Sequence, residues 1–226
     1  MWKRLVQKFT KADPIKPITR EFMEMLEHTR TMSQRIHPHL FAPEPNATES
    51  REVYELDVKV NKLERSIRKR IINHLNLSSD KVSYCLLMMS IIKDAERIGD
   101  YLKNIYEVRT LTGVAIPPSH LRAELESVIA LVVDTLNATP EIIAQKDVDE
   151  ATKHLQAGRS SAQRCDKLLS DLAQSNLSAA EVTSMVLLTR FHKRLGAHLL
   201  NMLSSVVMPL HKLDFYDGRQ NPTVPE

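Results

Sequence analysis

Two ten-residue stretches of this chain, ERIGDYLKNI at 96–105 and KRLGAHLLNM at 193–202, align without a gap. Arg97 pairs with Arg194, Ile98 with Leu195, Gly99 with Gly196, Leu102 with Leu199 and Asn104 with Asn201. The turns before them match as well, LNLSSDKV (75–82) against SNLSAAEV (175–182). With only 5 glycines in the whole chain, two at equivalent mid-helix places mark an internal duplication. A duplicated helical unit restricts the fold to a repeated bundle.

The rest of the chain divides to fit. Residues 18–37 carry an apolar stripe of Ile18, Phe22, Met25, Leu26, Thr29, Met32 and Ile36, closed by His37-Pro38. A Pro-rich loop follows, HPHLFAPEPNATES. Residues 50–76 carry Val53, Leu56, Val60, Leu63, Ile67, Ile71 and Leu75 at alternating spacings of three and four, as in coiled-coil packing. The next helix is expected over 80–111, capped by Ser or Asp of NLSSD, and Gly113 with Pro117-Pro118 closes the first unit. Helices over 119–138, 147–175 and 179–213 make the second, with Thr139-Pro140 expected to bend or break the first of them. No stretch reads as a strand. The expected fold is all-α, two tandem three-helix bundles in one elongated protein: a first repeat over 18–113, a second, degenerate one over 119–213 and a loose tail over 214–226. Residues 1–12 precede them as a short amphipathic basic helix with Trp2, Leu5, Val6 and Phe9 on one face. That face can pack on its own protein or touch an anionic membrane surface.

Composition narrows the partners. The net charge of +3 in 226 residues gives no concentrated pull toward nucleic acid, and no helix-turn-helix pattern is present. No uninterrupted apolar run reaches the length of a membrane span, and the N-terminus lacks a signal-peptide core. Cys85 and Cys165 lie inside apolar helical patterns and read as buried, reduced thiols of a cytoplasmic protein. There is no Glu-x-x-His for a di-metal oxidase, no Gly-x-Ser-x-Gly and no phosphate loop, so enzymatic readings lose their ligand sets and nucleophiles.

The duplicated glycine and its acidic neighbours are separable. Glycine stands in both copies; Glu96 and Asp100 of the first become Lys193 and Ala197 in the second. A mid-helix glycine costs about 1 kcal/mol against alanine, and its use here is read as close helix approach, with Arg97 and Arg194 covering the crossing or pairing with an acid. Glu96 and Asp100 share a face one turn apart, beside the stripe Ile92, Ala95, Ile98, Leu102 and Ile105. Asp57, Asn61 and Glu64 run beside the stripe of the preceding helix. If the two helices pack together, these oxygens converge, and oxygen clusters hold hard or borderline cations. The competing reading is a solvated face balanced by Arg97 and Lys103. A run of Lys59, Lys62, Arg65, Arg68, Lys69 and Arg70 is read as a solvated face too, since Asp57 and Glu64 interrupt it. His192 and His198 fall on different helix faces and make no replacement site.

KDAERIGDYLKNI resembles the signature of the PhoU family, in which a Glu/Asp-x-x-x-Asp motif precedes Asn-Ile. ELDVKVNKLERSI resembles that family's second-helix pattern. The resemblance runs from about 18 to 212 and is specific at 57–64 and 94–105. It implies a non-enzymatic regulator of phosphate uptake and signalling, docking on a membrane phosphate transporter subunit or a sensor histidine kinase. It also implies a cytoplasmic location with peripheral membrane contact, and a divalent, iron or zinc ion on the first repeat. Position by position, Asp57, Glu96 and Asp100 match the metal motif, Asn61 matches an Asn-or-Asp position, and Asp94 is adjacent. Lys193 and Ala197 leave the second repeat without that motif. The alternative is a metal-free helical scaffold attached to another membrane transporter. Long amphipathic helices also permit a homodimer, with no register legible.

Overall fold

A computed structural model describes residues 15–41 and 47–214. The expected N-terminal helix over 1–12 and most of the tail lie outside them. Six α-helices occur among the described residues: α1 (Ile15–Ile36), α2 (Ala47–Leu77), α3 (Val82–Thr112), α4 (His120–Gln145), α5 (Val148–Ala173) and α6 (Ala179–Val207). Short 3-10 turns follow α1 (His37–His39) and α6 (Leu210–Lys212). No strand occurs among the described residues. At 1.5 Å per residue, the 31-residue helices α2 and α3 are each roughly 46 Å long.

Helices α1–α3 form one three-helix bundle and α4–α6 a second. The bundles lie side by side: the most extensive contact in the molecule is between α3 and α6, and α1 also touches α4. One continuous apolar core draws on all six helices, with Ile92, Ala95, Ile98, Leu102 and Ile105 of α3 fully buried. A small satellite of Ile142, Ala151, Leu155 and Leu203 closes one end of the second bundle. Polar contacts cross the seam. Asp94 accepts from Asn201 (3.1 Å) and bonds His198 Nδ1 (2.7 Å). Ser184 bonds Thr112 (2.6 Å), and the rings of Tyr101 and His198 stack with centroids 5.6 Å apart.

Two local expectations are corrected. α4 does not break at Thr139-Pro140 but runs on to Gln145. The Thr139 hydroxyl donates to Thr135 O (2.7 Å), and Ile142, one turn beyond, is anchored in the satellite core, so packing holds the turn that proline weakens. By length and composition α4 could cross a membrane. Its buried Leu125, Val128 and Leu136 instead place it against α5 and α6. In α3, neither Ser nor Asp of NLSSD caps the helix: the N-cap is Lys81, in the left-handed region at φ 63° with no side-chain cap, and Ser78 Oγ accepts from Asp80 N instead. The matching turn of the second unit does carry a side-chain cap. Ser178 and Glu181 form a reciprocal capping box on α6.

The inner line of α2 also differs from expectation. Its buried positions are Val53, Asp57, Val60, Glu64, Ile67 and Ile71, while Leu56, Leu63 and Leu75 are only partly covered. Two carboxylates therefore occupy core-facing turns of that helix.

Candidate functional site

Because Asp57 and Glu64 point inward from α2, they meet the face of α3 that carries Glu96, Gly99, Asp100 and Lys103. The four acids come together as a cluster, and three basic side chains neutralise it. Lys103 Nζ bonds Asp57 Oδ2 (3.1 Å) and Asp100 Oδ1 (3.4 Å). Arg97 lies 3.2 Å from Asp100 Oδ2 and 3.6 Å from Glu96 Oε2. Arg68 bonds Glu64 at 2.8 Å. Burial, and next Asp100, push the Glu96 carboxyl above its ordinary range, Arg97 opposes this, and Glu64 and Asp57 add to the rise. Burial works against the charge on Lys103, but its bonds to Asp57 and Asp100 outweigh it and hold the ammonium above its ordinary value.

The other expected residues separate. Asn61 sits beside the cluster, but its amide Nδ2 donates to Asp57 O (3.1 Å). Asp94 is not part of the cluster. It lies two residues before Glu96, on the opposite side of α3, and is committed to His198 and Asn201 across the seam. Gly99 faces Val60 and Asp57 of α2; an added Cβ would lie 3.5 Å from Val60 Cγ1, ordinary contact rather than a clash. Gly196 is similar, with Val132 Cγ2 at 3.6 Å. Neither crossing is so tight that only glycine fits. Arg97 pairs with acids, whereas Arg194 is exposed and makes no ion pair among the described residues. Of the basic run on α2, Lys59, Lys62, Arg65 and Lys69 are exposed, as a solvated face requires, while Arg70 reaches Glu21 at 2.8 Å.

The acids supply the oxygen ligands of a cation site, but the Lys103 ammonium stands between Asp57 and Asp100. Among the described residues no three His, Cys, Asp or Glu side chains are grouped so as to hold an ion. As arranged, the cluster does not fit a bound metal: its positive charge comes from the protein.

One buried pair has no counterpart in the sequence reading. His37 Nε2 and His192 Nε2 face each other at 3.0 Å between the bundles. His192 is fully buried; burial, reinforced by His37, depresses its pKa to about 3, against the bond to Leu188 O. Both imidazoles are neutral, and one donates to the other. No local pattern could have linked residues 155 positions apart.

Fold and site together define an all-α protein of two paired bundles, with an ion-paired acidic face in the first. Residues 22–108 match the family model of the PhoU domain. The match falls on the first bundle, the part of the chain that carries the motif resemblance. Solved structures extend the likeness to the whole fold. The crystal structure of PhoU from Pseudomonas aeruginosa superposes with a TM-score of 0.77 at 16% identity, covering 88% of this chain and 97% of that one. The phosphate transport system regulatory protein PhoU from Streptococcus pneumoniae gives 0.74 at 14% identity, covering 92% and 98%. A search of curated proteins gives no match.

Proposed function

We propose that this protein is a non-catalytic cytoplasmic regulator of phosphate uptake that docks on a membrane phosphate transporter or its sensor kinase. The observation that carries this reading is the PhoU-domain match over residues 22–108, the segment that holds the acidic cluster. The Streptococcus relative of like fold is described as a phosphate transport regulator. The chemistry of the interior agrees. Both cysteines are buried and free, and burial raises the Cys165 thiol to about 11, far from a reactive thiolate at neutral pH. A docked regulator acts by binding one state of its partner better than another, and a bundle with one shared core offers a rigid surface for that. A divalent, iron or zinc ion could join the acidic face only by displacing Lys103.

The test is deletion of the gene, with phosphate uptake and the phosphate-starvation response measured in rich and poor medium. Altered uptake or a starvation response that persists in phosphate-rich medium is expected. Unchanged behaviour in both media sinks the reading and leaves the scaffold on another transporter.

A further inference from the structure

We infer that the second bundle binds a small amphipathic anion, an apolar chain with a single acidic head, in a cavity between α4, α5 and α6. The inference does not depend on the function proposed above. The cavity measures about 320 Å³, at the lower end of small-molecule sites. Val132, Thr135, Gly158, Ser161, Ala162 and Leu200 form its mostly apolar walls.

The repeat explains why it is there. Matching the buried positions sets the register between bundles: Ile18, Phe22 and Leu26 of α1 fall on Leu121, Leu125 and Ile129 of α4. Likewise Val53, Ile67 and Ile71 of α2 fall on His154, Leu168 and Leu172 of α5. In that register Met32 becomes Thr135, Val60 becomes Ser161, Asp57 becomes Gly158 and Asn61 becomes Ala162. Side chains that fill the first bundle are cut back in the second, and the space is left open. The ion pair Lys103–Asp57 becomes Leu200 seated on Gly158, where an added Cβ would lie 2.5 Å from Leu200 Cδ2.

The cavity is not merely apolar. Arg190, Lys193 and Arg194, at i, i+3 and i+4 on α6, also line it, and no carboxylate does. Lys193 pairs with Asp166. Arg190 and Arg194 are exposed and make no ion pair among the described residues. An apolar pocket with two uncompensated guanidinium groups matches a ligand with a greasy body and one carboxylate-like head. Inorganic phosphate alone would leave the apolar walls unused.

The experiment is calorimetric titration of the full chain with decanoate, with decanol and inorganic phosphate as tail-only and head-only controls. Decanoate is expected to bind one per chain and more tightly than either control. The double variant Arg190→Gln/Arg194→Gln should weaken it roughly tenfold or more, the loss of at least one charge-assisted bond. Those side chains are exposed, so the fold should persist, as an unchanged melting temperature would show. Ala162→Phe, which fills the cavity, should abolish binding. Absence of decanoate binding at millimolar concentration overturns the inference. So does equal binding of phosphate, or decanoate binding indifferent to all three substitutions. Binding to anionic lipid vesicles without binding of free decanoate also overturns it, in favour of a membrane contact.

Discussion

The same helix faces meet in both bundles, yet the contents of the two crossings are opposite. Between α2 and α3, four carboxylates are held by Lys103, Arg97 and Arg68 in a filled interface. Between α5 and α6, the equivalent places are Gly158, Cys165, Lys193, Ala197 and Leu200, and a cavity with a basic rim remains. The backbone frame was kept in both copies because the apolar stripes that bury it were kept. Polar content diverged freely because it contributes little to that burial. A repeat can therefore hold its architecture while one copy reverses the charge of its crossing.

The largest test of this contrast is at Lys103 and its counterpart Leu200. Lys103→Met should lower stability by about 1–3 kcal/mol, because it leaves half-buried carboxylates facing one another. Leu200→Met, a volume-conserving swap, should cost less than about 1.5 kcal/mol. Thermal melts at neutral pH measure both, and added Mg²⁺ or Mn²⁺ should raise the melting temperature of Lys103→Met alone. Equal losses at the two positions would mean that Lys103 acts by packing, not charge.

The glycines give the next effect. Gly99→Ala and Gly196→Ala should each stabilise the protein by up to about 1 kcal/mol, since the added Cβ meets only ordinary contacts and helix propensity decides. Gly158→Ala should gain less than either, because Leu200 must first swing toward the cavity. Denaturant midpoints separate the three. A loss at Gly99 or Gly196 would restore the close-approach reading.

The smallest effect is at Glu96. Its folded-state pKa is raised, so the protonated form favours folding. That contribution is complete below the ordinary carboxyl value of 4.5 and is lost as pH rises through the raised folded value. At neutral pH the ionised group is the disfavoured form. Glu96→Gln should therefore stabilise by a few tenths of a kcal/mol at pH 7, with the gain vanishing below about pH 4.5. Melting curves across that range check it, and a gain that persists in acid would contradict the sign.

Much of this was legible from residue order. The stripe Ile92, Ala95, Ile98, Leu102 and Ile105 reads as core and is core, because a 3.6-residue period leaves one face for apolar side chains. The convergence of Asp57, Glu64, Glu96 and Asp100 follows from two neighbouring helices with acids on facing turns. Asp94 was misplaced because adjacency in sequence says nothing about the side of a helix when both sides are covered. The turns LNLSSDKV and SNLSAAEV look alike, yet only Ser178 caps its helix, since Glu181 is there to complete the reciprocal bond and Lys81 is not. Thr139-Pro140 reads as a break, but Ile142 has a packed site to reach, and tertiary contact outweighs the lost hydrogen bond.

By itself, residue order determined six helices in two like units and the loss of acids from the second, because periodicity and duplication are written along the chain. Only the tertiary structure decided that the units share one core through α3 and α6, that His37 meets His192, and that Lys103 occupies the centre of the acids. It alone showed that truncated side chains on three helices leave a cavity between them. Those outcomes depend on which residues meet across long stretches of chain, 46 positions for Lys103 and Asp57 and 155 for His37 and His192, and on volumes summed over several helices, and neither quantity is carried by any local pattern.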